Sequence, residues 1–262
     1  MLKNPNLLVL GASGGVANAF LHHLTSCRNL FNKLILLDKN KKVLSDNYIN
    51  HKLLDYLFIH KKIELPQKEE EYLGILKKYK IDIVLDITDM ESIRIIESTN
   101  KEKISYINTA MNNDYKDVSE LIFEIYPKRE ILNTAPHILC GGMNPGAVNA
   151  WVRYGIEKFG VPTNIIHFEY DTSKTIKKQH PTITWSVHEF IIESVKDPSG
   201  ISLGRHKVKK LYPNALERRE KMKYILKPIM PMKSYPEGFT VLHEENLTIS
   251  YKYDIPSKFI YA

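Results

Sequence analysis

The chain has 262 residues, enough to bury a sizeable core in one large domain or two small ones. Apolar residues make up 43% of it and charged residues 26%, the balance of an ordinary globular protein. Cys27 and Cys140 are too few for a disulfide framework, no basic-plus-apolar leader begins the chain, and no apolar run is long enough to span a bilayer. We therefore expect a cytoplasmic protein with no membrane partner.

The net charge of +7 raises the question of nucleic-acid binding. Most lysines are scattered over helices and turns, as on a solvated surface. A denser basic group comes late, at Lys207, Lys209, Lys210, Arg218, Arg219, Lys221 and Lys223. No zinc-ligand spacing, recognition-helix pattern or RNA-binding aromatic motif accompanies it. The sequence therefore predicts no nucleic-acid partner and no metal site.

The first informative segment is the apolar run 7–10, which ends in a Gly-rich turn before a stretch with helical spacing. Glycines let a backbone approach a pyrophosphate, and the amides at a helix start favour the anion. The next apolar run stops at Asp38, an acid placed to bind the adenosine ribose hydroxyls. The predicted NAD-binding residues are Gly11, Ser13, Gly14, Gly15, Val16 and Asp38. The alternative is a structural turn in another α/β protein.

Apolar runs and helical stretches alternate through the first 143 residues. Strands are predicted at 7–12, 33–38, 61–65, 81–88, 104–109 and 137–141, and helices at 15–26, 41–47, 68–79, 90–99 and 114–126. This alternation indicates an α/β fold with a Rossmann-type, doubly wound parallel sheet. Ligands of such sheets bind at the carboxyl ends of the strands, so Asp86, Asp89 and the residues from Thr109 onward are expected to face the cofactor. Alternatively, Asp86 or Asp89 caps the helix that starts near Met90.

The sequence changes character after the turn at 141–146. A helix is expected at 147–158, a strand at 164–170, a helix within 184–195, and two paired strands at 239–242 and 247–253. Proline and glycine punctuate the short segments from about residue 198 onward. We expect an NAD-binding domain over residues 1–143 and a mixed α+β domain for substrate binding and dimerisation over residues 144–262.

Three segments resemble motifs of a known family: Gly141-Gly142-Met143-Asn144-Pro145-Gly146, Phe168-Glu169-Tyr170-Asp171-Thr172 and Thr184-Trp185-Ser186-Val187. They follow the order of the motifs of homospermidine synthases, within the wider saccharopine-dehydrogenase-like group. The resemblance runs loosely from the Gly-rich turn to about Tyr253 and is weaker between Gly238 and Glu244. It implies a Rossmann domain, a second domain that closes over the cleft, a homo-oligomer, and NAD as a recycled hydride carrier.

The implied reaction joins two diamines. A diamine such as putrescine is oxidised, ammonia is lost, a second diamine condenses as an imine, and the stored hydride reduces that imine. The resemblance implies a catalytic role for Asn144, Glu169, Trp185, Glu193 and His243. It also implies that Asp89 and the position of Asn112 contact the substrate.

The residue types suit a cationic substrate. Ammonium groups need carboxylates, and an iminium carbon gains from an aromatic face, for which tryptophan is the best side chain. Glu193 lies eight residues after Trp185, about two helical turns, on the same helix face. Histidine suits proton transfer because its reference pKa lies near neutrality. The alternatives are a core-packing Trp185, solvated glutamates, and a His243 that is only a strand-edge residue.

Two features depart from the family pattern. Asn112 stands where the family has an acid, which removes one partner of an ammonium group. The resemblance implies that family members continue beyond residue 262, so we expect a second domain that is incomplete at its C-terminus, in a homo-oligomer or with a complementing C-terminal partner chain. Two further functions therefore stay open. One is a saccharopine- or carboxynorspermidine-type imine-reducing dehydrogenase, with Arg153 or Arg205 binding a carboxylate; the other is a non-catalytic NAD-binding remnant or split-enzyme subunit.

Overall fold

The computed structural model describes residues 4–41, 55–171 and 186–262. Tertiary contacts divide the chain into two compact units. The first consists of Met1–Tyr115 and Glu124–Met143, the second of Lys116–Phe123 and Asn144–Ala262. The sequence analysis placed residues 116–123 in the first domain. They pack with the second unit, where Asp117 pairs with Lys210 at 2.8 Å.

The first unit contains a six-stranded parallel sheet with the order β3-β2-β1-β4-β5-β6. Its strands are β1 (Asn6–Leu10), β2 (Lys33–Asp38), β3 (Leu57–His60), β4 (Ile83–Asp86), β5 (Ser105–Asn108) and β6 (His137–Ile138). This is the strand order of a Rossmann fold, which many NAD(P)-dependent oxidoreductases share. The predicted doubly wound α/β architecture is confirmed.

Four helices follow the first-unit strands in sequence: α1 (Gly15–Leu24), α2 (Glu69–Tyr79), α3 (Ser92–Lys101) and α4 (Val118–Lys128). All five residues of β1 are buried, as expected for a central strand covered on both faces. Leu21 and Leu24 of α1 join Leu7 and Val9 of β1 in one apolar cluster. Burial of this helix stripe fixes the start of α1 directly behind the Gly-rich turn.

One first-unit prediction differs from the structure, and another is not tested by it. The strand expected at 61–65 lies earlier, at β3, where Leu57–His60 pairs in parallel with Ile35–Asp38. Ile63 is buried but follows the strand. The helix expected at 41–47 falls almost entirely outside the described residues. No helix in the described ranges is long and apolar enough to cross a membrane.

The second unit is built on a mixed sheet with the order β10-β11-β12-β8-β9, to which β7 adds in parallel alongside β12. The strands are β7 (Ile165–Glu169), β8 (Ser199–Gly204), β9 (Lys207–Tyr212), β10 (Arg219–Lys221), β11 (Glu237–Val241) and β12 (Ser257–Tyr261). The helices are α5 (Ala147–Phe159), α6 (Val187–Ile191), α7 (Lys223–Leu226) and α8 (Glu244–Tyr253), and one π turn follows α6 at Ile192–Lys196. The expected mixed α+β class is confirmed.

The strand predicted at 247–253 is wrong, because these residues belong to α8. Glu244 and Glu245 occupy the first helical turn, where negative charge is favoured by the helix dipole. The Asn246 side chain accepts a hydrogen bond from the His243 backbone amide at 3.0 Å and closes the helix start. β11 pairs instead with β12, for example Phe239 with Tyr261, and with β10 on its other side.

Gly11 gives a direct test of the first-unit fold. It has a φ of +77°, and a Cβ there would lie 2.6 Å from the Ile87 carbonyl oxygen. We expect Gly11→Ala to lower the free energy of unfolding by at least about 2 kcal/mol, from left-handed strain and steric overlap. Gly15→Ala is the control, since a Cβ at Gly15 meets no atom within 4 Å. Urea unfolding of both variants measures the difference, and equal stabilities would contradict this geometry.

Candidate functional site

The Gly-rich turn of the first unit is held against the end of β2. Gly11 donates its backbone amide to the Leu37 carbonyl at 3.0 Å, and Gly14 donates to the Gly11 carbonyl at 3.1 Å. Gly14, Gly15 and Val16 are exposed at the start of α1. The amides of a first helical turn have no acceptor within their own helix. The turn therefore presents backbone donors and little side-chain bulk to solvent.

Asp38 links β2 to this turn. One carboxylate oxygen accepts the Ser13 backbone amide at 2.9 Å, and the other accepts the Asn40 backbone amide at 2.7 Å. The side chain is buried, yet each oxygen can accept a further hydrogen bond. Asp38 thus orders the turn as well as lying beside it, and its contact with a ribose stays a prediction.

Two other candidate residues of the first unit, Asp86 and Asn112, form hydrogen bonds within the fold. Asp86 is buried; one of its oxygens accepts from the backbone amide and hydroxyl of Thr88, and the other accepts the Tyr106 hydroxyl at 2.7 Å. Burial raises the pKa of Asp86, and these hydrogen bonds oppose the rise. The Asn112 side chain donates to the Thr88 carbonyl at 2.9 Å.

Neither Asp86 nor Asp89 caps α3, which begins after Glu91. Asp89 is exposed, and Thr109 lies partly buried just after β5. Their assigned cofactor or substrate contacts stay predictions.

The second unit gathers a charged cluster around His243, the residue that precedes α8. Its Nε2 lies 3.3 Å from a carboxylate oxygen of Glu193. Its Nδ1 lies 3.1 Å from a Glu244 oxygen and is paired with Glu245 as well. Burial would lower the pKa of His243, but the three carboxylates outweigh it and hold that pKa well above its usual range. The three carboxylates therefore favour the protonated form of the imidazole.

Glu169 and Asn144 join the same cluster from β7 and the turn before α5. The Asn144 amide donates to the Glu169 carboxylate. Burial raises the pKa of Glu169, while the Asn144 hydrogen bond and the charge of His243 lower it; burial prevails. Glu169 is thus an acid near His243 with an elevated pKa, a property that suits proton exchange.

Four of the five residues assigned a catalytic role by the resemblance therefore lie together: Asn144, Glu169, Glu193 and His243. They come from β7, the π turn, the turn before α5 and the start of α8. Trp185, the fifth, lies outside the described residues. Glu193 is partly buried and faces the imidazole, so the expectation of a merely solvated glutamate does not describe it. His243 is likewise a buried helix-start residue rather than a strand-edge one.

The sequence analysis missed three members of the cluster: His167, Glu244 and Glu245. Glu245 is fully buried, and one of its oxygens has no hydrogen-bond partner among the described residues. The run His243-Glu244-Glu245 ahead of an apolar-periodic stretch carries a recognisable helix start, with acids in its first turn. The sequence analysis did not identify this helix start because it predicted a strand at 247–253.

His167 sits two residues before Glu169 and therefore on the same face of β7. Its ring stacks on Phe259 with centroids 6.1 Å apart, and the His243 ring stacks on Phe259 at 4.8 Å. Burial lowers the pKa of His167, against the opposing charge of Glu245. The cluster thus stacks two imidazoles on one aromatic ring, with the pKa of His243 raised and that of His167 lowered.

The cluster also contains polar atoms without partners in the described part of the chain. They are Asn144 Oδ1, His167 Nε2 and one Glu245 oxygen, all fully buried. Buried polar atoms are normally hydrogen-bonded, so these three leave hydrogen-bonding capacity in the cluster that the described residues do not use.

The cluster also contains residue types that bind metal ions. His243, Glu244 and Glu245 could each offer one ligand atom, all within 4.8 Å of one another. A metal-bound imidazole must carry a lone pair on the ligating nitrogen, whereas both His243 nitrogens face carboxylates as donors. The arrangement fits an ion-pair network, and the absence of a metal site stays a prediction.

Comparisons with known proteins leave the family open. The sequence matches no protein-family model and no curated relative. Among solved structures it is similar to a dTDP-glucose 4,6-dehydratase from Bacillus anthracis in complex with NAD, at 12% identity and a TM-score of 0.33 over 63% of this chain and 54% of that one. A UDP-glucose 4-epimerase from Stenotrophomonas maltophila with bound NAD shares 14% identity at a TM-score of 0.31, over 63% of this chain and 52% of that one.

An ADP-L-glycero-D-manno-heptose-6-epimerase from Helicobacter pylori shares 12% identity at a TM-score of 0.35, over 64% of this chain and 67% of that one. The chain spans about half the length of the first two of these proteins. The assignment of a Rossmann fold rests on the strand order of the chain itself.

The two imidazoles of the cluster provide a test. We expect His243 to be doubly protonated at pH 7.5 and His167 to be neutral, because three carboxylates surround the first and burial dominates at the second. Nitrogen-15 NMR of the histidine side chains distinguishes these forms, with His167→Gln and His243→Gln used to assign the signals. A neutral His243 at this pH would contradict the proposed ion-pair network.

Proposed function

We propose that this chain is an NAD-dependent enzyme that oxidises an amine and reduces an imine, in the manner of a homospermidine synthase acting on putrescine-like diamines. The observation that carries the proposal is the cluster of Asn144, Glu169, Glu193 and His243, assigned from the resemblance and close together in the second unit. Two more glutamates, Glu244 and Glu245, add negative charge.

The first unit supports the proposal through its fit to a dinucleotide. Gly11 leaves no space for a side chain, the exposed amides at the start of α1 suit a pyrophosphate, and Asp38 suits a ribose diol. When bound, NAD would take a hydride from the carbon next to the substrate nitrogen and later return it. Gly11, Ser13–Val16 and Asp38 are the residues proposed to hold it.

The second unit supports an ammonium ligand by its charge balance. Glu169, Glu193, Glu244 and Glu245 surround one positive imidazole, so the cluster is acidic although the whole chain is basic. The unpartnered oxygens of Asn144 and Glu245 are acceptors that an ammonium could satisfy. A bound ammonium ion would neutralise part of the excess negative charge and would donate hydrogen bonds to the unpartnered oxygens.

We assign a different role in the reaction to each of His243, Asn144 and Glu169. His243 neutralises part of the charge of Glu193, Glu244 and Glu245 and holds those carboxylates in place. Asn144 orients Glu169 by its amide hydrogen bond. Glu169, with its elevated pKa, accepts the proton that an ammonium must lose before a hydride can leave the neighbouring carbon. The same carboxyl can return a proton when the imine is reduced.

The surroundings of Arg153 and Arg205 favour a diamine over an amino-acid substrate. Arg153 donates to Glu157 along α5 at 2.8 Å. Arg205 contacts the Tyr251 carbonyl and lies over the Tyr251 ring. Both exposed guanidinium groups are engaged in local contacts, so neither of the two arginines considered as a carboxylate clamp is held ready for that role.

Product analysis tests the function. In the presence of NAD, the chain should convert two molecules of isotope-labelled putrescine to one homospermidine and one ammonia, detected by mass spectrometry, with no net accumulation of NADH. Stoichiometric NADH release on an amino acid would instead identify a dehydrogenase. Binding of NAD without conversion of any diamine would identify a non-catalytic NAD-binding protein or a subunit that lacks its partner.

We expect Glu169→Gln to weaken transition-state binding by about 1.5–3 kcal/mol, on the scale of a charged hydrogen bond. The amide would keep the shape but lose both the countercharge and the proton acceptor. Glu157→Gln is the control, because Glu157 is exposed and pairs only locally with Arg153. Single-turnover kinetics with putrescine measures both variants, and equal rates would remove Glu169 from the mechanism.

The proposal also predicts a preference for NAD over NADP. Asp38 would repel a 2′-phosphate and accept hydrogen bonds from the free diol. Asp38→Ala should weaken NAD binding by about 1–3 kcal/mol and reduce the difference in affinity between NAD and NADP. Calorimetry with both cofactors measures this, with the exposed Asp55→Ala as control. Because Asp38 also holds the turn, circular dichroism must show that the variant is folded, and tighter binding of NADP by the unaltered chain would overturn the assignment.

A further inference from the structure

A basic groove lies on the second unit and is lined by none of the residues assigned above to NAD or to the acidic cluster. It opens between the end of β10 and the loop that leads back into β11, and its volume is about 370 Å³. Lys221 and Lys223 line one side, and Lys233 and Tyr235 line the other. The late basic group of the sequence thus contributes two residues to a concave surface.

The groove is held by internal contacts. The Met222 backbone amide donates to the Pro236 carbonyl at 3.2 Å and joins the two walls. The Tyr235 hydroxyl accepts the Met232 backbone amide at 3.2 Å. Met222 is fully buried in an apolar cluster with Leu226 and Ile260. The walls are therefore anchored in the core of the unit, and the groove is formed before any ligand arrives.

In the part of the chain that the structure describes, some lysines of the second unit pair with a carboxylate, whereas others, Lys207 and Lys209 of β9 and the groove lysines among them, do not. Lys210 pairs with Asp117, and Lys258 pairs with Glu220. In the described ranges of the chain, Lys221, Lys223 and Lys233 have no ion-pair partner. The acid that lines the groove, Glu237, already lies 3.6 Å from Arg219. Three ammonium groups therefore face one small cavity without internal compensation.

Protection of a sheet edge does not account for this arrangement. β10 is an edge strand, and lysines commonly protect such edges from pairing with another chain. Lys221 fits that role, but Lys223 starts α7 and Lys233 lies in the loop before β11. Two of the three charges therefore come from outside the edge strand and point to recognition of negative charge.

We propose that the groove binds a small polyanion that carries several phosphate or carboxylate groups. A volume of about 370 Å³ lies in the range of small-molecule sites. Lysine ammonium groups bind such anions as flexible point charges, without the fixed geometry of arginine. The limited size of the groove favours a compact anion over a nucleic-acid strand, which would need a continuous basic path.

The experiment uses the full chain with inorganic tripolyphosphate and citrate as probes, by calorimetry at 50 mM salt. The groove variant is Lys221→Gln/Lys223→Gln/Lys233→Gln. The control, Lys80→Gln/Lys207→Gln/Lys209→Gln, removes the same charge from exposed positions, two of them on the opposite edge strand β9. We expect at least one probe to bind the unaltered chain, the groove variant to lose at least tenfold in affinity, and the control to lose less than threefold. Binding of tripolyphosphate alone, or of both probes, distinguishes a phosphate site from a general anion site.

Three results would overturn the proposal. The first is the absence of binding of either probe at millimolar concentration. The second is an equal loss of affinity in the groove and control variants, which would indicate only a response to net charge. The third is tighter binding of oligonucleotides that grows with their length and exceeds that of tripolyphosphate, which would make the basic surface a nucleic-acid face.

Discussion

The second unit is organised around a buried positive charge. An imidazolium removed from water is stable only with close negative partners, and His243 has three of them in Glu193, Glu244 and Glu245. This requirement links the π turn and α8, while Phe259 of β12 covers the ring. Loss of the charge at His243 would leave the buried carboxylates of Glu244 and Glu245 and the partly buried one of Glu193 to repel one another.

The same constraint explains why the cluster is suited to chemistry as well as to folding. His243 balances part of the negative charge, and Glu169 lies near it with an elevated pKa and an amide partner in Asn144. An acidic site of this kind is a poor place for a substrate carboxylate and a good place for an ammonium group. In the first unit, by contrast, the acids Asp38 and Asp86 are buried with hydrogen-bond donors from the chain itself.

Much of the first unit could be predicted from the sequence, because each parallel strand is a short apolar run bounded by turns. The observed limits of β2 equal the predicted ones, whereas β3 lies a few residues early because several apolar residues near it compete for the same place in the sheet. The second unit was harder. Leu247–Tyr253 alternates apolar and polar residues as a strand would, yet the acids and Asn246 ahead of it start a helix.

The resemblance identified four residues of the cluster. Composition and spacing alone would not have placed them in one site, since they are far apart in sequence. It did not reveal Glu244 and Glu245 as partners of His243. That pairing depends on the turn of the chain at the start of α8, which brings two consecutive acids back to the preceding ring. His167 was missed because its position beside Phe259 depends on the register between β7 and β12.

The central claim is that the acidic cluster of the second unit binds an organic ammonium ion. The most direct measurement is calorimetric titration of the chain with 1,4-diaminobutane, n-butylamine and 1,4-butanediol, repeated with Glu193→Gln. The account predicts that the diamine binds more tightly than the monoamine, that the diol does not bind, and that the variant loses at least fivefold in diamine affinity. Equal affinity for the diol and the diamine, or diamine binding that is unchanged in the variant, would contradict it.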